Sequence, residues 1–345
     1  MSVWQRIMGI VGSIALLLTS LSGCNDAISL PQAQPLSASS EQLMAIPFID
    51  KGPYQVIINR DVTLHNPDLQ RDLDISAFYP EQGQQFPLVI FSPGFVAHKD
   101  TYDNVIAYWV SHGFVVLAVN HQDCCSMVSG IIKSMWFGNF GLVEQRVNDV
   151  RFLQQSLAEL VSQYPFLQNK FDAENLAIAG HSFGGFTAQL FAGAGTYNPD
   201  DERYHYIAID NVKAVLAISP PGPMFDVITD KSWQKLSLPT FISTGTWDVD
   251  GRFFKTWQVH NMSFDTALPG DKYSLVTQGA DHYFGNLICR PEREELPQHD
   301  ALRMLNATST LFLKSYLTDE VVSKQQLQTL DLGGVTNGFS TLTRR

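Results

Sequence analysis

Ser182, Asp248 and His282 occur in the order and the local settings that nucleophilic acyl transfer requires. A serine hydroxyl is a weak nucleophile at neutral pH, so it needs a base within reach and a carboxylate to orient that base. Ser182 lies in Ala179-Gly180-His181-Ser182-Phe183-Gly184-Gly185, a G-x-S-x-G pattern. The apolar run Asn175 to Ala179 before it reads as a short buried strand, and Phe183 to Ala192 after it reads as a helix. A tight strand-to-helix turn of this kind lifts the hydroxyl above a sheet, and its crowding demands the flanking glycines. The helix start also favours developing negative charge.

The other two groups follow at strand ends. Phe241 to Thr244 reads as a strand running into a loop with Asp248 at its exit, and Tyr273 to Thr277 as the next, with His282 just past it. Asp250 is the alternative acid, and Asp281 reads as a cap. His98, His112 and His121 precede the serine, and His181 should point away from it. A tetrahedral intermediate needs two donors for its oxyanion. The backbone N–H of Phe183 is one, and that of Phe95, after the turn Ser92-Pro93-Gly94, is the other.

These groups need a scaffold that brings strand ends together. Strand-like runs recur at Tyr54–Ile58, Leu73–Phe78, Pro87–Phe91, Phe114–Val119, Asn175–Ala179, Lys213–Ile218, Thr240–Thr244 and Lys272–Thr277. Several are continuously apolar, as strands covered on both faces are. Between them, Tyr102 to His112 and Leu142 to Tyr164 carry apolar residues at helical spacing. The pattern predicts an α/β fold: one mainly parallel eight-stranded sheet flanked by helices, with a small cap or irregular insertions. The domain should run over 45–320, with 321–345 a loosely packed tail. Met127, Ile131, Ile132, Met135, Trp136 and Phe137 cluster in the connection Cys124 to Phe140. That segment reads either as a helix packed on the sheet or as a cap lining an acyl pocket.

Composition narrows the class. The 345 residues are 45% hydrophobic, ample for a large core, and the formal charge of −11 argues against nucleic acid as a partner. No internal repeat, zinc-type cysteine spacing or phosphate-binding glycine loop stands out. At the N-terminus, Arg6 precedes a mostly apolar run, Ile7 to Leu21, too short for a comfortable membrane span and suited to a signal peptide over 1–23. The run ends in Leu21-Ser22-Gly23-Cys24, which resembles the lipobox of bacterial lipoproteins. That resemblance implies lipidation of Cys24, a flexible tether over 24–44, and a membrane-anchored place in the bacterial cell envelope. For an exported chain, Cys289 could pair with Cys124 or Cys125, or all three could stay free.

Three stretches carry a wider resemblance: Pro87 to Gly94, Ser111-His112-Gly113-Phe114-Val115-Val116, and Gly180 to Gly185. Together, over roughly residues 52 to 285, they resemble the α/β-hydrolase superfamily. Within it the chain is similar to bacterial relatives of platelet-activating factor acetylhydrolase, to dienelactone hydrolases and to cutinase-like polyester hydrolases. Arg71 to Pro80 and Asn120-His121-Gln122-Asp123 match that group too. The resemblance implies hydrolysis of carboxylic esters through an acyl-enzyme with no cofactor, but it does not carry the substrate; a small or lipid-like ester is expected, with no metal. Two departures stand out: Pro93-Gly94 replaces the usual His-Gly, and Ser219 stands where the acetylhydrolases carry their acid. The alternatives are a surface-anchored binding protein that kept the fold without the activity, and a hydrolase specific for phospholipid or polyester.

Overall fold

A computed structural model describes residues 29–345, except 252 and 319. The expected signal peptide and Cys24 therefore lie outside the described residues. Pro31–Arg345 forms one compact unit.

Nine strands build the main sheet: β1 (Val56–Asn66), β2 (Arg71–Pro80), β3 (Phe86–Ser92), β4 (Val115–Val119), β5 (Phe171–His181), β8 (Ala214–Ile218), β9 (Thr240–Gly245), β10 (Lys272–Thr277) and β11 (Ser340–Arg344). Their order is β1-β2-β4-β3-β5-β8-β9-β10-β11. The six strands from β4 to β10 in that order run parallel. Antiparallel strands close both sides, β1 and β2 at one edge and β11 at the other. A separate hairpin, β6 (Gly195–Asn198) with β7 (Arg203–Tyr206), stands apart from the sheet.

Alternation along the parallel strands divides the core into two layers. Val89 and Phe91, Val116 and Ala118, and Ala177 and Ala179 face the layer that also holds Trp109, Leu305 and Phe312. Leu88 and Ile90, Val115 and Leu117, and Leu176 and Ile178 face the other, with Val147, Val150 and Phe186. Helices α2 (Asp103–Ser111) and α7 (His299–Leu317) cover the first face, and α3 (Met127–Gln155), α4 (Leu157–Gln163) and α5 (Phe183–Leu190) the second. Shorter helices are α1 (Ser40–Met44), α6 (Met262–Thr266), α8 (Val321–Thr329) and α9 (Leu332–Val335). Among the described residues no helix is long and apolar enough to cross a membrane.

Four expectations change. The sheet has nine strands rather than eight, because Ser340–Arg344 pairs along Lys272–Thr277, with Thr277 opposite Ser340. The tail 321–345 is thus part of the fold: Leu327, Leu332, Phe339 and Leu342 are buried in the first core layer. Residues 31–44 also pack rather than hang free. Trp247 Nε1 donates to the Pro31 carbonyl at 2.7 Å, and Leu36 and Leu43 lie against the core. Finally, Cys124 and Cys125 are bonded to each other, leaving Cys289 a buried free thiol.

The connection after β4 matches neither expectation in full: it is helical, but of its apolar cluster only Met127 reaches the cavity and most of the rest is exposed. Helix α3 is broken at Gly138, whose φ is 70°. Beyond the break, Leu142, Val143, Arg146, Val147, Val150 and Leu153 bury one face against the sheet. Before it, Val128, Ile131, Ile132 and Met135 stand largely exposed, and Trp136 is 81% exposed.

Candidate active site

The turn between β5 and α5 holds Ser182 at φ 53° and ψ −124°. A residue with a side chain rarely adopts this conformation, so the surroundings must impose it. The Ser182 N–H donates to the Ile218 carbonyl at 2.8 Å, tying the turn to the next strand. A Cβ on Gly180 would overlap the Gly184 carbonyl, and one on Gly184 the Ser92 carbonyl. Those contacts explain why the pattern carries glycine on both sides of the serine.

Asp248 follows β9 and His282 follows β10, and the fold brings them together. His282 Nδ1 lies 2.7 Å from Asp248 Oδ1. Thr244 Oγ1 donates to Asp248 Oδ2 at 2.9 Å, and the carboxylate is 1% exposed. Ser182, Asp248 and His282 line one cavity of about 470 Å³. Its walls add Phe95, Phe183, Met127, Met224, Phe225, Phe253 and Phe254 on the apolar side, and Arg290 and Arg293 on the polar side. Asp250 lies on the wall, whereas Asp248 is the carboxylate that meets His282 Nδ1.

A second histidine, which sequence reasoning missed, shares the same carboxylate. His260 is fully buried, with Nε2 3.0 Å from Asp248 Oδ1 and Nδ1 2.7 Å from the Pro220 carbonyl. Burial alone would push the Asp248 carboxyl up, but His260 and His282 outweigh it and hold it well below the usual carboxylate range. Burial likewise opposes charge on His260, yet Asp248 and then the Pro220 carbonyl hold its ring above the ordinary imidazole value. Donor atoms of Asp248, His260 and His282 lie within 4.8 Å of one another. They are engaged with each other as hydrogen-bond and ion-pair partners, so the group reads as a charge network rather than a metal site. His260 gave no signal in sequence, since it sits in the short 3-10 helix Trp257–Asn261, apart in the chain from its partners Asp248 and Pro220.

His181 is buried behind the serine, its ring centroid 4.6 Å from that of His282. Its Nε2 lies 2.9 Å from the His282 carbonyl and its Nδ1 3.1 Å from Tyr102 Oη. Burial, with His282 next in effect, pushes its pKa well below the ordinary value, so it stays neutral and braces the loop carrying His282. On the other side, the Gly94 N–H donates to Tyr102 Oη at 2.9 Å. The N–H groups of Phe95 and Phe183 donate to no protein acceptor among the described residues.

A second Ser–His–Asp arrangement lies nearby. Ser92 Oγ is 2.8 Å from His121 Nε2, and His121 Nδ1 is 2.9 Å from Asp149 Oδ2, while the other Asp149 oxygen, Oδ1, meets Arg71. All three are at least 95% buried and none lines the cavity. Burial first, then Arg146 and Arg71, hold the His121 ring well below its ordinary pKa. This set is a brace beneath the loop, since substrate has no path to it.

A parallel sheet covered by helices on both faces, with a strained serine between β5 and α5, defines a member of the α/β-hydrolase superfamily. Within it, residues 45–245 match the family model described as chlorophyllase, and the chain belongs to that family. The matched span stops short of Asp248 and His282. The chain is 23% identical to Cutinase est2 of Thermobifida alba over 61% of its own length and 57% of that protein. It is 22% identical to Cutinase est1 of the same organism, over 61% and 58%. It is also 30% identical to platelet-activating factor acetylhydrolase of Cavia porcellus, over 30% of this chain and 31% of that one. The match thus spans less than three-fifths of either cutinase.

Proposed function

We propose that this protein is a serine hydrolase that cleaves carboxylic esters through an acyl-enzyme. The carrying observation is the 2.7 Å contact between Asp248 and His282 on the wall of a cavity that also holds the strained Ser182. In this reading His282 takes the Ser182 proton as Oγ attacks the ester carbonyl, then gives it to the departing alcohol. Water, deprotonated by His282, attacks the acyl-serine and releases the acid. Asp248 fixes the imidazole tautomer with the proton on Nδ1 and stabilises the cation that forms. The N–H groups of Phe95 and Phe183 receive the oxyanion.

The names of the family and of its relatives point to different substrates, so the ester class is argued from the cavity. Met127, Met224, Phe225, Phe253 and Phe254 make its acyl-facing wall apolar, and the volume of about 470 Å³ suits a short to medium chain. Arg290 and Arg293 already face Glu292 at 3.8 Å, and Asp281 and Glu295 at 3.5 and 3.7 Å. Their charge is compensated, which favours a neutral ester over a phospholipid. Lipidation of Cys24 and a place in the cell envelope belong to the same reading, on the strength of the Leu21-Ser22-Gly23-Cys24 sequence. Fatty-acid labelling that disappears in Cys24→Ala tests that part.

The experiment for the activity is hydrolysis of p-nitrophenyl esters from acetate to palmitate by the wild type and Ser182→Ala. A maximum at short to medium chains, abolished in the variant, is the expected result. Activity that survives the substitution, or none on any ester, overturns the reading.

A further inference from the structure

We propose that Arg146 is a positioning residue for the oxyanion site, fixing the Gly94–Phe95 peptide so that the Phe95 N–H faces the cavity. The inference rests on the ester-hydrolase reading and extends it to how the donor is aimed.

Arg146 lies on the buried half of α3 and is 1% exposed. All three of its nitrogens are engaged. Nη1 donates to the Pro93 carbonyl at 2.8 Å and Nη2 to the Gly94 carbonyl at 3.0 Å. Nε and Nη2 also meet Asp123, at 3.1 and 2.6 Å. Asp123, itself fully buried, accepts in addition from the Val96 N–H at 3.1 Å. The pair therefore grips the loop at both ends of Phe95. In a trans peptide, C=O and N–H point in opposite directions across one plane. Holding the Gly94 oxygen on the guanidinium sends the Phe95 N–H the other way. Gly94 and Phe95 line the cavity, so that direction is the site.

Two further contacts fit the role. Tyr102 Oη holds the Gly94 N–H, pinning the preceding peptide from the opposite face. The guanidinium carbon lies 4.8 Å from the centroid of the Phe183 ring, so one cation meets the ring of one donor residue and the carbonyl end of the peptide that carries the other donor. A carbonyl that accepts from a cation also polarises its own peptide, which strengthens the N–H at the other end. An ion pair kept for stability alone needs only Asp123. The two carbonyl contacts match a planar fork, which lysine cannot reproduce.

Arg146→Lys and Asp123→Asn are compared with the wild type on p-nitrophenyl butyrate and with phenylboronic acid. The boron accepts the Ser182 oxygen to form a B–O bond, the hydroxyl proton passes to His282, and the tetrahedral adduct is anionic. Its oxygen occupies the oxyanion position, so its inhibition constant reports the donors directly. Folding is checked by circular dichroism and thermal unfolding. We expect Arg146→Lys to fold, with kcat lowered about 10- to 100-fold and KM within about threefold. That is part of the 10²–10³-fold that losing one donor costs. The boronate constant should rise by a similar factor, and Asp123→Asn should move both constants in the same direction. A merely structural role would lower the unfolding temperature and leave kcat of the folded enzyme and boronate binding unchanged. That outcome, a loss confined to KM, or the failure of both variants to fold overturns the role of Arg146. An inactive wild type that ignores the boronate refutes the hydrolase reading itself, whereas an active wild type with unchanged variants refutes only this one.

Discussion

Replacing His260 with phenylalanine probes the buried charge pair from the side that the proton relay does not use. The new ring keeps an aromatic partner for Phe254, whose centroid lies 4.6 Å away, but both nitrogens are lost. The Pro220 carbonyl then loses its 2.7 Å donor, and leaving a buried polar group unsatisfied costs about 1–3 kcal/mol. Breaking a buried ion pair costs about 3–5 kcal/mol. Asp248 retains His282 and Thr244, so the combined loss should sit at the lower end of the sum, about 4–5 kcal/mol at pH 6. The pH dependence follows from the two shifts. His260 is held above its ordinary value of 6.5, so its ionic contribution is complete below that pH and is lost as pH rises through the folded value. Asp248 is held well below 3.8, so its contribution is complete above that pH and is lost only as pH falls through the depressed value. Both are present between those limits. The destabilisation in His260→Phe should therefore shrink at alkaline pH towards the carbonyl cost alone, about 1–3 kcal/mol. Urea unfolding of wild type and variant at pH 6 and pH 9.5 measures it. Equal destabilisation at the two pH values, or less than about 1 kcal/mol at pH 6, would refute the buried imidazolium.

Asp248→Asn should lower kcat about 10³- to 10⁴-fold with little change in KM, because the neutral amide cannot stabilise the imidazolium and its NH2 can donate to His282 Nδ1, fixing the wrong tautomer; steady-state kinetics on a short ester checks this. Gly184→Ala should lose soluble, folded enzyme, since its Cβ would overlap the Ser92 carbonyl at the base of the loop; expression yield and circular dichroism read the effect. Burial pushes the Cys289 thiol up. Ellman's reagent should therefore find no reactive thiol in folded 31–345 and one after denaturation without reductant.

Much of the architecture was legible because parallel strands covered on both faces must be continuously apolar. All eight strands expected from such runs are present, and Ser182, Asp248 and His282 fall at the strand ends where the pattern put them. What escaped notice depends on distant partners. β11 is a five-residue edge strand with only Ser340 and Leu342 buried, and its partner lies 63 residues earlier at Thr277. The positive φ of Asn337 and Gly338 turns the chain into it, within the tail that the sequence suggests is loosely packed. His260 and Arg146 were invisible for a related reason. Each is defined by what it touches across the fold, Pro220 and Asp248 for one and Pro93, Gly94 and Asp123 for the other. The Ser92–His121–Asp149 set shows the converse. Its spacing matches a catalytic arrangement closely, and only burial separates it from the site.

That contrast sets the most direct measurement. The protein is treated with a fluorophosphonate and digested, and the modified peptide is located by mass spectrometry. The account predicts a single adduct on Ser182, formed in step with loss of esterase activity and absent from Ser182→Ala. An adduct on Ser92, or none while ester hydrolysis continues, would contradict it.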